Sequence, residues 1–234
     1  WQSGSDGREE SQELHLNPAS GRWVPDETHL QRHVGAAIAY NVWLYFEATC
    51  DHEFLAFYGA EMILEIAEFF ASLAHYDADS GRYHIHGVVG PDEFHTRHPN
   101  ADAPGLRDNA YTNVMVSWVL RCARRALARI TDERAAEILD KLGMSQDDVE
   151  RFDDVSRRMF VPFLDDDRRL IAQFDGYGEL EELEWEALRK KHGNIQRLDR
   201  ILEAEGDTVN RYKASKQADV LMLLYLFSDR KSVV

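Results

Sequence analysis

Cysteine, basic residues and long apolar runs are all scarce in this sequence. Its 234 residues include two cysteines, and 42 Asp and Glu residues outnumber 27 Lys and Arg residues, which gives a formal net charge of −15. Nucleic-acid binding depends on clusters of Lys and Arg, so this charge argues against a nucleic-acid partner. No apolar run has membrane-spanning length and no signal peptide is recognisable, so no membrane partner is expected.

The two cysteines, Cys50 and Cys122, lack the spacing of metal ligands. Both lie among apolar residues with helical spacing, and we expect them to be buried free thiols. A chain without a disulfide framework is typical of a reducing compartment, so a cytoplasmic location is expected. The sequence opens on Trp1 without an initiator methionine, which is typical of a fragment or a processed product.

Helical periodicity dominates the sequence after its polar first thirty residues, which are predicted to be loop. The pattern predicts helices over residues 30–49, 51–76, 109–130, 132–143, 145–160 and 212–227, with a short strand or hairpin near residues 83–88. The helix over 51–76 carries one broad apolar stripe, formed by Met62, Ile63, Ile66, Phe69, Phe70 and Leu73. Helices of comparable length joined by long loops predict an all-α toroid or solenoid.

Two helix starts carry capping signals. Asp108 or Asn109 is placed to cap the helix that follows residue 109. Ser145 and Asp148 have the spacing of a capping box, with Asp in place of the usual Glu.

A loop between two predicted helices contains the run Gly90-Pro91-Asp92-Glu93. Gly90 and Pro91 restrict the backbone and would hold the acidic pair in one orientation. A carboxylic acid in apolar or like-charged surroundings acts as a general acid, and Asp92 with nearby aromatic residues would provide such surroundings for Glu93. The residues alone leave open a second interpretation, a solvated turn with helix-capping acids.

Histidines near this loop invite comparison with a metal site: His84, His86, His95 and His98. The neighbouring acids do not complete a known ligand pattern, so no metal is expected. The sequence also lacks nucleophile-elbow, Cys-His, P-loop and dinucleotide-binding signatures.

Aromatic residues interleaved with acids and amides are typical of a sugar-binding site, because pyranose rings stack on aromatic faces while hydroxyl groups need polar partners. Trp1, Trp23 and Trp185 are candidates, whereas Trp43 and Trp118 lie in helical stripes and are expected in the core. Lys216 and Gln217 are predicted at the start of an apolar helix, where a cation opposes the helix dipole. A functional Lys216 and an ordinary surface lysine both remain open at this point.

Four motifs resemble glycoside hydrolase family 65: the opening "WQSGSDGREE", then "GPDEFH", "DNAYTN" and "KQADVL". The resemblance covers nearly the whole chain and implies an (α/α)6-barrel catalytic domain of which residues 1–234 form part. The family's N-terminal β-sandwich and C-terminal domains are absent from the sequence. So are its upstream Trp-Asp motif and its downstream phosphate loop, which would lie before Trp1 and beyond Val234.

The resemblance implies that Glu93 is the general acid and that Lys216 and Gln217 bind the non-reducing glucose. Further sugar contacts are expected from Trp1, Glu10, Trp23, His95, Asp108 and Asn109.

The expected reaction is inverting phosphorolysis of an α-linked glucose disaccharide of the trehalose, maltose or kojibiose type, which gives β-glucose 1-phosphate and glucose. One catalytic carboxylate then suffices, because phosphate replaces the water that a second carboxylate would activate. Inorganic phosphate is the co-substrate, with no cofactor, and a homodimer is expected. Two alternatives remain: a hydrolase of the same family, and a catalytically incomplete sugar-binding fragment.

Overall fold

The computed structural model describes residues 7–165, 167 and 169–227. The chain divides into two compact units. The loop unit contains the described residues of 1–32, 86–111 and 162–226, and the helical unit contains those of 33–85, 112–161 and 227–234. Every predicted site residue that the structure describes belongs to the loop unit.

The helical unit is built mainly from long helices. Its elements are α1 (His33–Thr49), α2 (His52–Phe54), a π-helical segment (Leu55–Gly59), α3 (Ala60–Leu73), strands β3 (His75–Asp77) and β4 (Arg82–His84), then α4 (Ala110–Leu127), α5 (Asp132–Leu142) and α6 (Gln146–Arg158). Helix α4 begins in the loop unit and continues into the helical unit.

The loop unit has short strands, loops and short helices. Its elements are β1 (Leu14–Asn17), β2 (Arg22–Pro25), β5 (His86–Val88), β6 (Leu106–Arg107), α7 (Trp185–His192), α8 (Leu198–Ala204) and α9 (Asp219–Leu226), with 3-10 turns at Thr28–Leu30, Tyr177–Glu179 and Val209–Arg211. Strands β1 and β2 form one antiparallel pair, and β5 and β6 form another.

The helical unit confirms most of the local predictions. Helix α3 packs against α1 and α6, with Ile63 and Phe70 of the predicted stripe fully buried. Met62 and Phe69 of the same stripe are exposed, so the buried face is narrower than predicted. The capping box of α6 is confirmed, since Ser145 and Asp148 exchange hydrogen bonds between side chains and backbone N–H groups.

Among the described residues, two buried clusters lie within the loop unit. One gathers apolar residues from α8, from the 3-10 turn at Val209–Arg211, from the loop that carries Asp92 and Glu93 (the acid loop) and from the segments before α7 and after that turn: Phe94, Leu183, Leu198, Leu202, Val209 and Ala214. The other contains Leu106, Phe174 and Leu180. Phe94 follows Glu93 directly, so burial of its ring fixes the backbone from which the acid projects.

The structure corrects the expectation of loop over the first thirty residues. Strands β1 and β2 form a hairpin whose turn closes with a 2.8 Å hydrogen bond from Gly21 N–H to the Asn17 carbonyl. Gly21 has a φ of 71°, which favours glycine. The buried Asn17 side chain anchors the hairpin to α8 by donating to the Arg200 carbonyl at 2.9 Å.

A second correction concerns Lys216 and Gln217, which precede helix α9 rather than start it. The first residue of α9 is Asp219, an acidic residue that suits the positive end of the helix dipole. The predicted conflict between Lys216 and the dipole is therefore absent.

The cysteines differ from each other. Cys122 is buried as predicted, but Cys50 is exposed, because α1 ends at Thr49 and Cys50 takes a left-handed φ of 54°. Both are free thiols. Trp43 and Trp118 lie in the core as predicted.

The described chain is rich in helix, as the all-α class requires, while the closed (α/α)6 barrel stays a prediction. No helix within the described ranges is both long and apolar enough to span a bilayer.

Candidate active site

The acid loop starts at Gly90, where the backbone passes closely between two side chains. A Cβ atom on Gly90 would lie 2.3 Å from Asn109 Nδ2 and 2.7 Å from an Asp219 carboxyl oxygen. Real Cβ contacts are not that short, so only glycine lets the chain pass between these side chains. The loop therefore enters the site along a path set by two residues from distant parts of the sequence.

Asp92 is a buried carboxylate with an extensive set of hydrogen bonds. Its Oδ1 accepts from the backbone N–H groups of Lys216 at 2.8 Å and Gln217 at 3.3 Å. Its Oδ2 accepts from Gln173 Nε2 at 2.8 Å and faces His95 Nδ1 at 3.0 Å. A carboxylate with this many donors is held firmly in place. Asp92 thus ties the acid loop to the segment that carries Lys216 and Gln217.

His95 supports this arrangement from below the surface. It is 1% exposed, and its Nε2 lies 2.9 Å from the Tyr212 carbonyl oxygen while its Nδ1 faces Asp92. Both neighbours are acceptors, so a ring N–H of His95 donates to one or the other according to the tautomer. This geometry favours a supporting role, and the direct sugar contact predicted for His95 stays a prediction.

Glu93 projects away from the buried network into an open region. Its side chain is 52% exposed, and a carboxyl oxygen forms an ion pair with Lys216 Nζ. The same loop thus directs adjacent acidic residues to different surroundings, Asp92 to the interior and Glu93 to the surface of a cavity. The two residues that the motifs assigned to acid catalysis and glucose binding are in direct contact.

Gln217 offers an unused polar group at this position. Its backbone N–H donates to Asp92, but its buried Oε1 has no hydrogen-bond partner within the described part of the chain. Buried acceptors are normally paired, so an unpaired one needs an explanation. The contact between Gln217 and glucose stays a prediction.

Asp219 was not predicted as a site residue, yet it lies at the centre of this cluster. Its carboxyl group is fully buried, and neither oxygen makes a hydrogen bond of good geometry with the described residues. Its pKa is raised to about 7, chiefly by burial and to a smaller extent by the charge of Asp92, while the Asp92 backbone and the Asn109 amide oppose the shift. Near neutral pH this carboxyl group is thus partly protonated.

The other predicted sugar contacts are spread over the loop unit. Asn109 is buried and donates to the Gln173 carbonyl at 3.3 Å, and Asp108 is buried with a left-handed φ of 49°. Glu10 and Trp23 are exposed, the latter by 65%. Trp1 lies outside the described residues, and all these contacts stay predictions.

Gln173 was missed by sequence reasoning and links several parts of the site. Its amide nitrogen donates to Asp92, and its Oε1 accepts from Ser215 Oγ at 3.2 Å. Its carbonyl accepts from Ala110 N–H at 3.0 Å at the start of α4. It sits in an irregular loop with no motif around it, so no local signal marks it.

Comparison with known proteins shows which family the chain resembles. The sequence model of the "Glycosyl hydrolase family 65 central catalytic domain" matches residues 1–233. An uncharacterized glycosyl hydrolase of Mycobacterium tuberculosis is 56% identical over 97% of this chain, and a trehalose 6-phosphate phosphorylase of Lactococcus lactis is 40% identical over 96%. A solved structure from the human microbiome, assigned as a kojibiose phosphorylase, superimposes with a TM-score of 0.69 and 26% identity over 83% of this chain.

The chain belongs to glycosyl hydrolase family 65. It spans 17% of the length of the mycobacterial protein, 27% of the Lactococcus enzyme and 25% of the solved chain. The family assignment predicted from "GPDEFH" and "KQADVL" is confirmed.

Proposed function

We propose that this chain supplies the general acid and part of the glucose site of an inverting glycoside phosphorylase. Glu93 protonates the glycosidic oxygen, and Lys216 and Gln217 bind the non-reducing glucose. Inorganic phosphate attacks the anomeric carbon from the opposite face, so an α-linked substrate yields β-glucose 1-phosphate.

The observation that carries this proposal is the contact between Glu93 and Lys216 above the buried carboxylate of Asp92. An acid that must reach a leaving-group oxygen needs solvent access and a fixed backbone, and Glu93 has both. Glu93 accepts a hydrogen bond from Lys216 in the structure, whereas a general acid must donate its proton to the glycosidic oxygen. We therefore expect sugar hydroxyls to take over Lys216 when substrate binds, leaving Glu93 to face the glycosidic oxygen.

Relatives with known names support phosphorolysis over hydrolysis. The Lactococcus relative is a trehalose 6-phosphate phosphorylase, and a relative from Thermoanaerobacter brockii, 32% identical, is a kojibiose phosphorylase. The proposed substrate class is an α-linked glucose disaccharide or its phosphate ester.

The test is proton NMR of the longest expressible product of the reading frame with trehalose, maltose, kojibiose and nigerose, each with and without inorganic phosphate. Phosphate-dependent formation of β-glucose 1-phosphate is expected for at least one sugar. Glucose release that is independent of phosphate would instead establish a hydrolase. If a folded product catalyses neither reaction, only a sugar-binding role remains.

Glu93→Gln tests whether Glu93 is the general acid. We expect kcat to fall by about 10²- to 10⁴-fold, the range typical of losing a positioned proton donor. The matched control is Glu133→Gln, the same change at an exposed position in the first turn of α5, which should leave kcat unaltered.

A further inference from the structure

Two buried carboxyl groups of the loop unit, those of Asp92 and Asp219, interact with each other but have unequal sets of partners. Asp92 accepts from two backbone N–H groups and a side-chain amide, and it faces His95. Neither oxygen of Asp219 has a hydrogen-bond partner of good geometry within the described ranges. The donors of this cluster therefore compensate the charge of Asp92, and a second buried negative charge would have no comparable support.

The Asp219 carboxyl group packs against the acid loop rather than serving its own helix. A carboxylate in the first turn of a helix is stabilised by the free N–H groups there, but neither oxygen of Asp219 accepts from one among the described residues. One oxygen instead lies 2.7 Å from the place that a Cβ atom on Gly90 would take. The carboxyl group thus adjoins the backbone just before Asp92 and Glu93.

Asp219 also follows the proposed glucose-binding segment directly, since it stands three positions after Lys216. The backbone N–H of Lys216 is bonded to Asp92, and its ammonium group meets Glu93. Asp219 therefore belongs to one of the two segments that the proposed reaction requires to be fixed, and its side chain packs against the other.

We propose that Asp219 is a positioning residue that works as a neutral carboxylic acid, holding the acid loop against the segment that carries Lys216. When the group ionises, its repulsion of the Asp92 carboxylate loosens this contact and the reaction slows. The inference rests on the function proposed above. It assigns the loss of activity at alkaline pH to a fully buried group that does not touch substrate, rather than to Glu93.

The surroundings of Asp219 favour its neutral form. Its pKa is raised to about 7, chiefly by burial and to a smaller extent by the charge of Asp92, while hydrogen bonding by the Asn109 amide and the charge of His95 oppose the shift. Lys216 lies on the segment before α9, but its ammonium group is engaged by the exposed acid. The positioning contact should therefore hold below about pH 7 and weaken as pH rises through this value.

The pH dependence of kcat/KM tests the proposal, because a merely structural role would lower activity by the same factor at every pH. The full-length product of the reading frame is assayed at about pH 6, 7 and 8 with a sugar that it cleaves, as wild type and as Asp219→Asn. The ratio of the two proteins cancels the ionisation of inorganic phosphate and of the groups that they share, Glu93 included.

We expect kcat/KM of Asp219→Asn to lie within about threefold of wild type at pH 6, because the amide is neutral and has nearly the shape of the protonated carboxyl group. At pH 8 the variant should exceed wild type by about tenfold, since about one in ten Asp219 groups is then still neutral. Asp219→Ala leaves a gap beside Gly90 and should lower kcat/KM at least about tenfold at pH 6. The matched control is Asp79→Asn, the same change at an exposed turn residue, which should follow wild type at each pH.

Amide hydrogen exchange provides a second readout that needs no turnover. The backbone N–H groups of Lys216 and Gln217 are bonded to Asp92, so their protection reports whether the two segments are held together. Corrected for the intrinsic exchange rate, this protection should fall about tenfold from pH 6 to pH 8 in the wild type. In Asp219→Asn it should change by less than about threefold. Mass spectrometry of peptides that cover both residues measures it.

The contrary results are distinguishable. An equal alkaline loss of kcat/KM in wild type and Asp219→Asn assigns that loss to another group and overturns the inference, while the proposed function stands. A folded Asp219→Asn protein that is inactive at every pH also overturns it, because a neutral side chain of this shape should suffice. Absence of phosphorolysis and hydrolysis in the wild type overturns the proposed function. Hydrogen exchange then decides the positioning role alone, and protection that is independent of pH in the wild type would overturn it.

Discussion

The Asp92 carboxylate accepts a 2.8 Å hydrogen bond from the backbone N–H of Lys216, a residue 124 positions further along the chain. The contact joins the loop of the proposed acid to the segment of the proposed glucose site. Asp92 itself is buried, so we propose that it holds Glu93 and Lys216 in place rather than touching substrate.

Asp92→Asn should therefore impair both stability and activity. The new amide nitrogen would face N–H donors whichever way the side chain is turned, so at least one donor loses its partner. That loss costs about 1–3 kcal/mol of folding stability. We expect urea unfolding to show this loss and kcat to fall at least about tenfold. The same substitution at Asp79, an exposed turn residue, should change neither. A fully active, equally stable Asp92→Asn protein would contradict the positioning role.

The raised pKa of the Asp219 carboxyl group predicts that stability depends on pH. Its pKa rises from the ordinary 3.8 to about 7 in the folded chain, so the folded state binds more protons than the unfolded state between these values. The free energy of unfolding therefore falls as pH rises from about 4 to 7, by about 1.4 kcal/mol per unit for this group, and the loss is complete above pH 7.

Asp219→Asn removes this titration. The difference in unfolding free energy between variant and wild type should grow in favour of the variant from pH 5 to pH 8, by a few kcal/mol. Urea denaturation at four pH values measures it, and the subtraction cancels groups common to both proteins. A difference that does not vary with pH would show that Asp219 ionises normally.

Gly90→Ala tests the close packing at the entrance of the acid loop. The added methyl would overlap the Asn109 amide and the Asp219 carboxyl group, and overpacking of this kind costs about 1–3 kcal/mol. Gly35→Ala is the matched control, because Gly35 lies inside α1 and a Cβ there meets ordinary contacts at 3.7 Å or more. The free energy of unfolding of the Gly35→Ala control should rise by roughly 0.5–1 kcal/mol, since alanine is the better helix former. Thermal unfolding measures both variants.

The cysteines should differ in reactivity. Burial raises the pKa of the Cys122 thiol far above its usual value, whereas Cys50 is exposed at the end of α1. We expect a thiol reagent to label Cys50 quickly in the native chain and Cys122 only after denaturation. Cys50→Ser should abolish the fast phase, and fast labelling that persists in this variant would contradict the burial of Cys122.

Local signals in the sequence were sufficient to predict the helices of the helical unit. The apolar spacing of α1 and α3 and the Ser145–Asp148 capping box depend on residues within a few positions of one another. Motif resemblance was sufficient to identify the family, because "GPDEFH" and "KQADVL" are specific and lie in the expected order.

Long-range contacts account for what the sequence did not reveal. Lys216 and Gln217 lie outside α9 because their backbone N–H groups bond to Asp92, which no local propensity indicates. The β1–β2 hairpin depends on Asn17 reaching α8, a contact across 183 residues. Gln173 and Asp219 acquire their roles only from neighbours that the fold brings together.

The bond between Asp92 and Lys216 also has a consequence for biosynthesis. At translation rates of about 5–20 residues per second, Lys216 is made roughly 6 to 25 s after Asp92, across the 124 residues that separate them. During that interval the carboxylate has none of its partners from the later segment, and the acid loop has no fixed position. Closing so long a stretch of chain carries an entropic cost that shorter contacts do not. The nascent protein should therefore form the helices of its helical unit before the loop that carries Glu93 is held in place, because that step waits for Lys216.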